Sequence, residues 1–287
     1  MIRPTRRQIA LGLGAAPFLL AAARGGGRGA REIAYSSAHP RNVLDLYARP
    51  DLEEAPMVLY VHGGGWNIGD KSRVNDLPRW AARHGFLLAS ANYRLTPEVN
   101  ARGCAEDVAA AAAWMLANGA EHGGDPKRLF LLGHSAGAHL VALVGVDPTY
   151  LGAHGKAPSD LAGVIPIDGA GYDAVKQMRM PQRPGFLGRR LEEMYDLAFG
   201  DDAAAVSPTL LVKPGQAYPP FLIFHVASRA DAREQSQELA RVLRAAGGRA
   251  RVVSAPGETH RSINMEFGQT ADPEGERAAR FIRTGQL

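Results

Sequence analysis

Residues 128–144, RLFLLGHSAGAHLVALV, pass from an unbroken apolar run into a second apolar run of helical character through a five-residue turn. A buried strand that turns so sharply into a helix forces that helix back onto the sheet, which is the first half of a βαβ unit. The rest of the chain repeats the alternation. β-type runs stand at 31–37 (REIAYSS), 42–48 (NVLDLYA), 56–63 (PMVLYVHG), 86–93 (FLLASANY), 128–133 (RLFLLG), 163–168 (GVIPID), 221–226 (FLIFHV) and 250–255 (ARVVSA). The run at 56–63 is solidly apolar, as a strand covered on both faces is. Between the strands, Val108, Ala111, Ala112, Met115 and Leu116 recur at helical spacing, as do Leu239, Val242, Leu243 and Ala246. Further helices are expected at 138–144, 189–199 and 276–283. The class that follows is α/β: an eight-stranded, mostly parallel sheet with helices on both faces, opened by an antiparallel hairpin.

A chain of 287 residues can hold one large domain or two ordinary ones, and no internal repeat divides this one; a single domain over 31–287 is expected. With 46% apolar and 22% charged residues, disorder, collagen and coiled coil are excluded. The formal charge of +4 arises largely at the N-terminus, where the first 23 residues hold Arg3, Arg6 and Arg7 and no acid, leaving 30 basic against 29 acidic residues elsewhere. A body so balanced has no global field to draw nucleic acid or an anionic membrane, and neither partner is expected. The lone Cys104 cannot form an intramolecular disulfide.

Residues 1–23 read as an export signal. A positive segment, MIRPTRR, precedes an apolar run over 9–20 and three alanines suited to a peptidase. The run is too short to span a bilayer, and Gly12, Gly14 and Pro17 weaken it further. TRRQIA resembles a twin-arginine leader, which implies a periplasmic or secreted protein with no stable membrane insertion once the signal is removed. Residues 24–30 form a glycine-rich linker.

The pentapeptide GHSAG at 133–137 is a weak signal alone, but its position between a buried strand and a helix is the arrangement that presents a nucleophile on a tight elbow. Ser135 would then stand at the carboxyl edge of the sheet. Its hydroxyl needs a base to remove the proton, so a histidine and an acid must lie elsewhere in the chain. After the third strand comes HGGGW, residues 62–66, whose glycines leave backbone N–H groups open to an oxygen bearing negative charge. Gly64 and Gly65, with the N–H of Ala136, are the expected oxyanion donors, Gly63 the turn residue and His62 an anchor for the loop. Neither G-x-x-x-x-G-K-[ST] nor G-x-G-x-x-G occurs here to make this a phosphate cradle, since Asp70 stands between Gly69 and the Lys71-Ser72 pair. Nor is there an H-E-x-x-H or a cysteine pair, so neither metal nor cofactor is expected.

These residues resemble the α/β-hydrolase family, and within it the esterases and lipases with an HGGG loop, in the hormone-sensitive-lipase-like, feruloyl-esterase-like and kynurenine-formamidase-like branches. LDLY at 44–47, HGGGWNIGDKS at 62–72, NYRLTPE at 92–98, GGDPKRLFLLGHSAGAH at 123–139, AFGDD at 198–202 and THRSIN at 259–264 fall in the family's order. The resemblance implies the chain order nucleophile, acid, histidine, so His260, the sole histidine after the last strand, is the expected base. His139 lies one helical turn behind the elbow and reads as packing or capping; His225 reads as structural. The acid should follow the seventh strand, in VASRADAREQS. There Asp231 is the obvious carboxylate, although the family's usual position falls near Ser228; Glu234 and a dyad without an acid are the alternatives.

Between the sixth and seventh strands, residues 171–220 form a long excursion expected to cap the site. Met178 and Phe186 are the expected substrate contacts there, with His134 and Trp66, the latter as either acyl-pocket wall or plain packing. Arg179, Arg183, Arg189 and Arg190 interleave with the apolar residues and would greet an anionic substrate or simply be solvated. The resulting expectation is a carboxylesterase acting on small to medium esters through an acyl-enzyme on Ser135. An aryl formamidase, or a catalytically silent binding protein on the same fold, is the alternative.

Overall fold

The structure, a computed structural model, describes residues 29–180 and 185–287. The expected export signal, most of the linker, and Pro181, Arg183 and Pro184 lie outside the described residues.

Eight strands form one sheet: β1 (Arg31–Ala34), β2 (Val43–Tyr47), β3 (Ala55–Val61), β4 (Leu87–Ala91), β5 (Gly124–His134), β6 (Gly163–Ile167), β7 (Phe221–Val226) and β8 (Ala250–Ala255). Their order across the sheet is β1-β2-β4-β3-β5-β6-β7-β8. Pairings β1–β2 and β2–β4 are antiparallel and all others parallel, so the opening hairpin and the parallel body stand as the apolar runs implied. The strands are two-faced. Met57, Leu59 and Val61 of β3 face one apolar layer while Val58 and Tyr60 face the other, and Leu129 and Leu131 of β5 alternate likewise with Phe130 and Leu132.

Helices α1 (Leu77–His84), α2 (Ala101–Asn118), α3 (Ala136–Val146) and α4 (Pro148–Gly152) lie between β3 and β6. α5 (Ala174–Arg179), α6 (Phe186–Ala198) and α7 (Pro208–Leu211) occupy the excursion between β6 and β7. α8 (Ala230–Ala245) joins β7 to β8, and α9 (Ser262–Met265) and α10 (Pro273–Thr284) follow. One layer takes α2, α3 and α8, the last through Leu239, Ala240 and Leu243. The opposite layer takes α1, through Leu77, Trp80 and Ala81, and α10, through Ala278, Ala279, Phe281 and Ile282. No helix among the described residues is long and apolar enough to cross a membrane.

This winding positions the site. The chain leaves β3 for β4 on one side and returns to β5 on the other, so the loops after β3 and β5 diverge and leave a crevice at the carboxyl edge. HGGGW leaves β3 there, Ser135 leaves β5, Asp168 leaves β6, Arg229 follows β7 and His260 follows β8.

Candidate active site

Ser135 follows directly on β5 with φ 56° and ψ −117°, a left-handed backbone that a non-glycine residue adopts only under constraint. Its N–H donates to the Ile167 carbonyl at 3.0 Å, which fixes the elbow to the neighbouring strand. A β-carbon on Gly137 would collide with the Val61 carbonyl, so the tight approach of α3 to β3 requires glycine at that place.

The loop 62–72 is pinned along its length. Tyr93 donates its hydroxyl to the His62 carbonyl at 2.9 Å, Thr96 N–H donates to the Trp66 carbonyl at 2.9 Å, and buried Lys71 donates to Asp45 at 2.6 Å. Gly64 sits at φ 123°, where an added β-carbon would meet the Ile68 carbonyl. The N–H groups of Gly64, Gly65 and Ala136 donate to no other described residue, and all three residues line the same cavity as Ser135. His62 anchors this loop, stacked on Tyr93 with ring centroids 4.5 Å apart.

His260 Nε2 lies 3.0 Å from Ser135 Oγ, within hydrogen-bond reach. Its Nδ1 lies 2.6 Å from Oδ2 of Asp168, not near Asp231. The expectation for Asp231 is therefore corrected. Its carboxylate accepts Arg229 Nη2 at 3.0 Å and is separated from the imidazole by that guanidinium. Glu234 is further removed, paired with Lys176. Asp168 is fully buried, and its Oδ1 accepts the Val226 N–H at 2.9 Å while Oδ2 accepts Arg229 Nη1 at 2.6 Å. Burial alone would raise its pKa, but the His260 hydrogen bond, the Arg229 charge and the Val226 N–H outweigh it and hold the carboxyl at about 2.

Order along the chain does not point to Asp168, because the resemblance directs the acid to the turn after the seventh strand. The available signal is the last letter of GVIPID, a carboxylate closing an otherwise apolar strand.

The cavity above Ser135 has a volume of about 810 Å³. His134 and Trp66 line it as expected. Trp66 is also packed tightly, edge-on to Phe199 and donating its Nε1–H to His139, so it is both wall and core. Met178 and Phe186 do not line the cavity. Met178 packs against the core, and Phe186 is 69% exposed beneath the Arg190 guanidinium. Their places are taken by Met180, Leu191, Met194 and Tyr195, so the excursion does wall the site, through other residues. None of Arg179, Arg189 and Arg190 lines it either; among the described residues the cavity's arginines are Arg73 and Arg229.

Three histidines around the site are buried and held neutral. Burial takes His134 down to about 3, helped by the adjacent His260, and takes His62 and His139 to about 4. Unfolded histidine titrates near 6.5, so on acidification below that value the unfolded chain binds protons that the folded chain refuses, and stability falls with pH. Each contributes a loss on the order of 2 kcal/mol by pH 5. The expected result is a thermal midpoint, followed by circular dichroism, that drops steadily between about pH 6.5 and 4.5; a flat profile there would contradict it.

Comparison with known proteins adds independent findings. A family profile described as the alpha/beta hydrolase fold matches residues 58–264, more than half of the chain. The isoprenylcysteine alpha-carbonyl methylesterase of Arabidopsis thaliana is 28% identical over 247 residues, covering 82% of this chain and 57% of that protein. Esterase LipQ of Mycobacterium tuberculosis is 31% identical over 206 residues, covering 68% of this chain and 47% of that protein. The chain thus spans about half the length of these relatives. Among solved structures, Thermogutta terrifontis esterase 2 phosphonylated by sarin superposes with a TM-score of 0.71 over 88% of this chain and 92% of that one. At 23% identity, that likeness is one of fold.

Proposed function

Because the chain belongs to the α/β-hydrolase family, we propose that it hydrolyses carboxylic esters through an acyl-enzyme on Ser135. The observation that carries this reading is the continuous chain from Ser135 Oγ to His260 Nε2 at 3.0 Å and from His260 Nδ1 to Asp168 Oδ2 at 2.6 Å. His260 removes the hydroxyl proton as Oγ attacks the ester carbonyl. Asp168 accepts the Nδ1–H, fixes the tautomer that leaves Nε2 free, and stabilises the imidazolium that forms. The oxyanion turns to the N–H groups of Gly64, Gly65 and Ala136, each worth on the order of 10²- to 10³-fold in rate. The imidazolium then protonates the departing alcohol, and water, activated by the same imidazole, releases the acid. The names of the curated relatives, both esterases of one kind or another, support the same reaction class.

The cavity wall argues for small to medium acyl groups. Met194 leans on the oxyanion loop so closely that a β-carbon on Gly65 would strike its sulfur, and Met180, Leu191 and Tyr195 continue the same apolar surface. A p-nitrophenyl ester series from acetate to decanoate tests both activity and size, with an aryl formamide beside it. The reading expects highest kcat/KM on the short esters, with the formamide poorly used. In Met194→Ala the octanoate should gain about tenfold on the butyrate, the lower end of what one newly accommodated methylene is worth. Turnover of the formamide alone would replace the esterase reading with the formamidase one.

Export is part of the same proposal. It rests on Arg6 and Arg7 ahead of the apolar run at 9–20, and places the enzyme in the periplasm or outside the cell. Fractionation of wild type and an Arg6→Lys, Arg7→Lys variant tests it; equal export of both would rule out the twin-arginine route.

A further inference from the structure

The turn after β7, where the resemblance placed an acid, carries a cation. Arg229 reaches from this turn into the site, its Nη1 lying 2.6 Å from Asp168 Oδ2, 3.3 Å from the Asp168 carbonyl oxygen and 2.7 Å from His260 Nδ1. On its far side Nη2 donates to Asp231 at 3.0 Å. Two donors therefore converge on one oxygen of Asp168, and a guanidinium held by two carboxylates stands beside the imidazole. We propose that Arg229 is a positioning residue for the triad, fixing Asp168 Oδ2 against His260, and that Asp231 is its counter-charge. The inference rests on the reading of Ser135, His260 and Asp168 as the reacting groups.

The arrangement has two opposed electrostatic effects on His260. Arg229 orients Asp168, which favours the productive tautomer, but its positive charge opposes formation of the imidazolium. Asp231 offsets that charge. His134, kept neutral by burial, packs near the ring from β5, and Tyr60 of β3, Arg73 of the segment after β3, and Arg261 and Asn264 of the following turn and helix line the cavities that His260 borders.

The consequence is a pair of pH shifts of opposite sign. Arg229→Gln removes the cation, so the acid limb of kcat/KM moves up by about one pH unit. At the same time kcat falls on the order of 10²-fold as Asp168 loses its fixed orientation, while KM stays near wild type. Arg229→Lys, which keeps the charge, restores the limb and much of kcat. Asp231→Asn leaves Arg229 uncompensated, so the limb moves the other way, to lower pH and by a smaller amount. Asp231 is partly exposed on the first turn of α8, and its variant is expected to fold.

The experiment is the pH profile of all four proteins on p-nitrophenyl butyrate, with the downfield proton NMR signal of the His260 Nδ1–H recorded without substrate. Opposite limb shifts, with that signal lost in Arg229→Gln and retained in Asp231→Asn, support the inference. Unmoved limbs and an unchanged signal in Arg229→Gln would overturn it, as would a change confined to KM, which would make Arg229 a substrate ligand. Should the wild type be inert to every ester yet lose the NMR signal on Arg229→Gln, the esterase reading fails and the placement of Arg229 stands.

Discussion

Asp168→Asn is expected to lower kcat for ester hydrolysis by about 10⁴-fold without loss of fold. The amide cannot accept from Nδ1 as the carboxylate does, and its NH₂ turned toward the ring would favour the tautomer with the proton on Nε2, where it blocks the Ser135 hydroxyl. Asp231→Asn at the pH optimum should remain within a factor of about ten of wild type, about 1.4 kcal/mol, because its partly exposed pair with Arg229 acts at one remove. Steady-state kinetics on one activated ester settles the contrast. If Asp231→Asn proved the more damaging, the acid would have to be reassigned and the side-chain path from Asp168 to His260 abandoned.

Ser135→Ala is expected to lower kcat by about 10⁶-fold, with His260→Ala nearly as damaging and the double variant little worse, since members of one relay fail together. Ser135 supports the fold through its backbone, by donating its N–H to Ile167 and accepting from the His139 N–H, and alanine retains both bonds. Thermal stability should therefore change little or rise slightly, as the φ of 56° remains imposed on whichever residue stands there. The measurement is kcat alongside the thermal midpoint; loss of both together would mean that the variant had unfolded, and near-normal turnover would remove Ser135 from the mechanism.

The sheet was legible because its strands are apolar blocks separated by turn residues, and all eight stand close to the runs read from the chain. α1 was not read. Its eight residues, LPRWAARH, carry only Leu77, Trp80 and Ala81 as a buried stripe, a single helical repeat that Pro78 makes look like loop. Motif positions are more legible than pocket contacts for a physical reason. Ser135, Gly64, Gly65, Ala136 and His260 are placed by backbone geometry next to strand ends, which local sequence encodes. The cap contacts depend on helical phase: Met178 on α5 turns to the core while Met180, just past its end, turns to the cavity. Likewise Phe186 falls at the exposed first turn of α6 and Met194 and Tyr195 face inward two turns later. Asp168 shows the remaining limit of reading by order along the chain. Spatial adjacency of β6 to β5 brings its carboxylate to His260, a relation that exists only once the sheet is assembled.

Hydrolysis through an acyl-enzyme requires a covalent intermediate at one residue, Ser135. Incubation with a fluorophosphonate, followed by intact-mass and peptide mass spectrometry, should find one adduct per chain, located on Ser135 and formed together with loss of ester hydrolysis. It should be absent in Ser135→Ala and slowed strongly in both His260→Ala and Asp168→Asn. An adduct on another residue, or esterase activity that survives complete modification of Ser135, would contradict it.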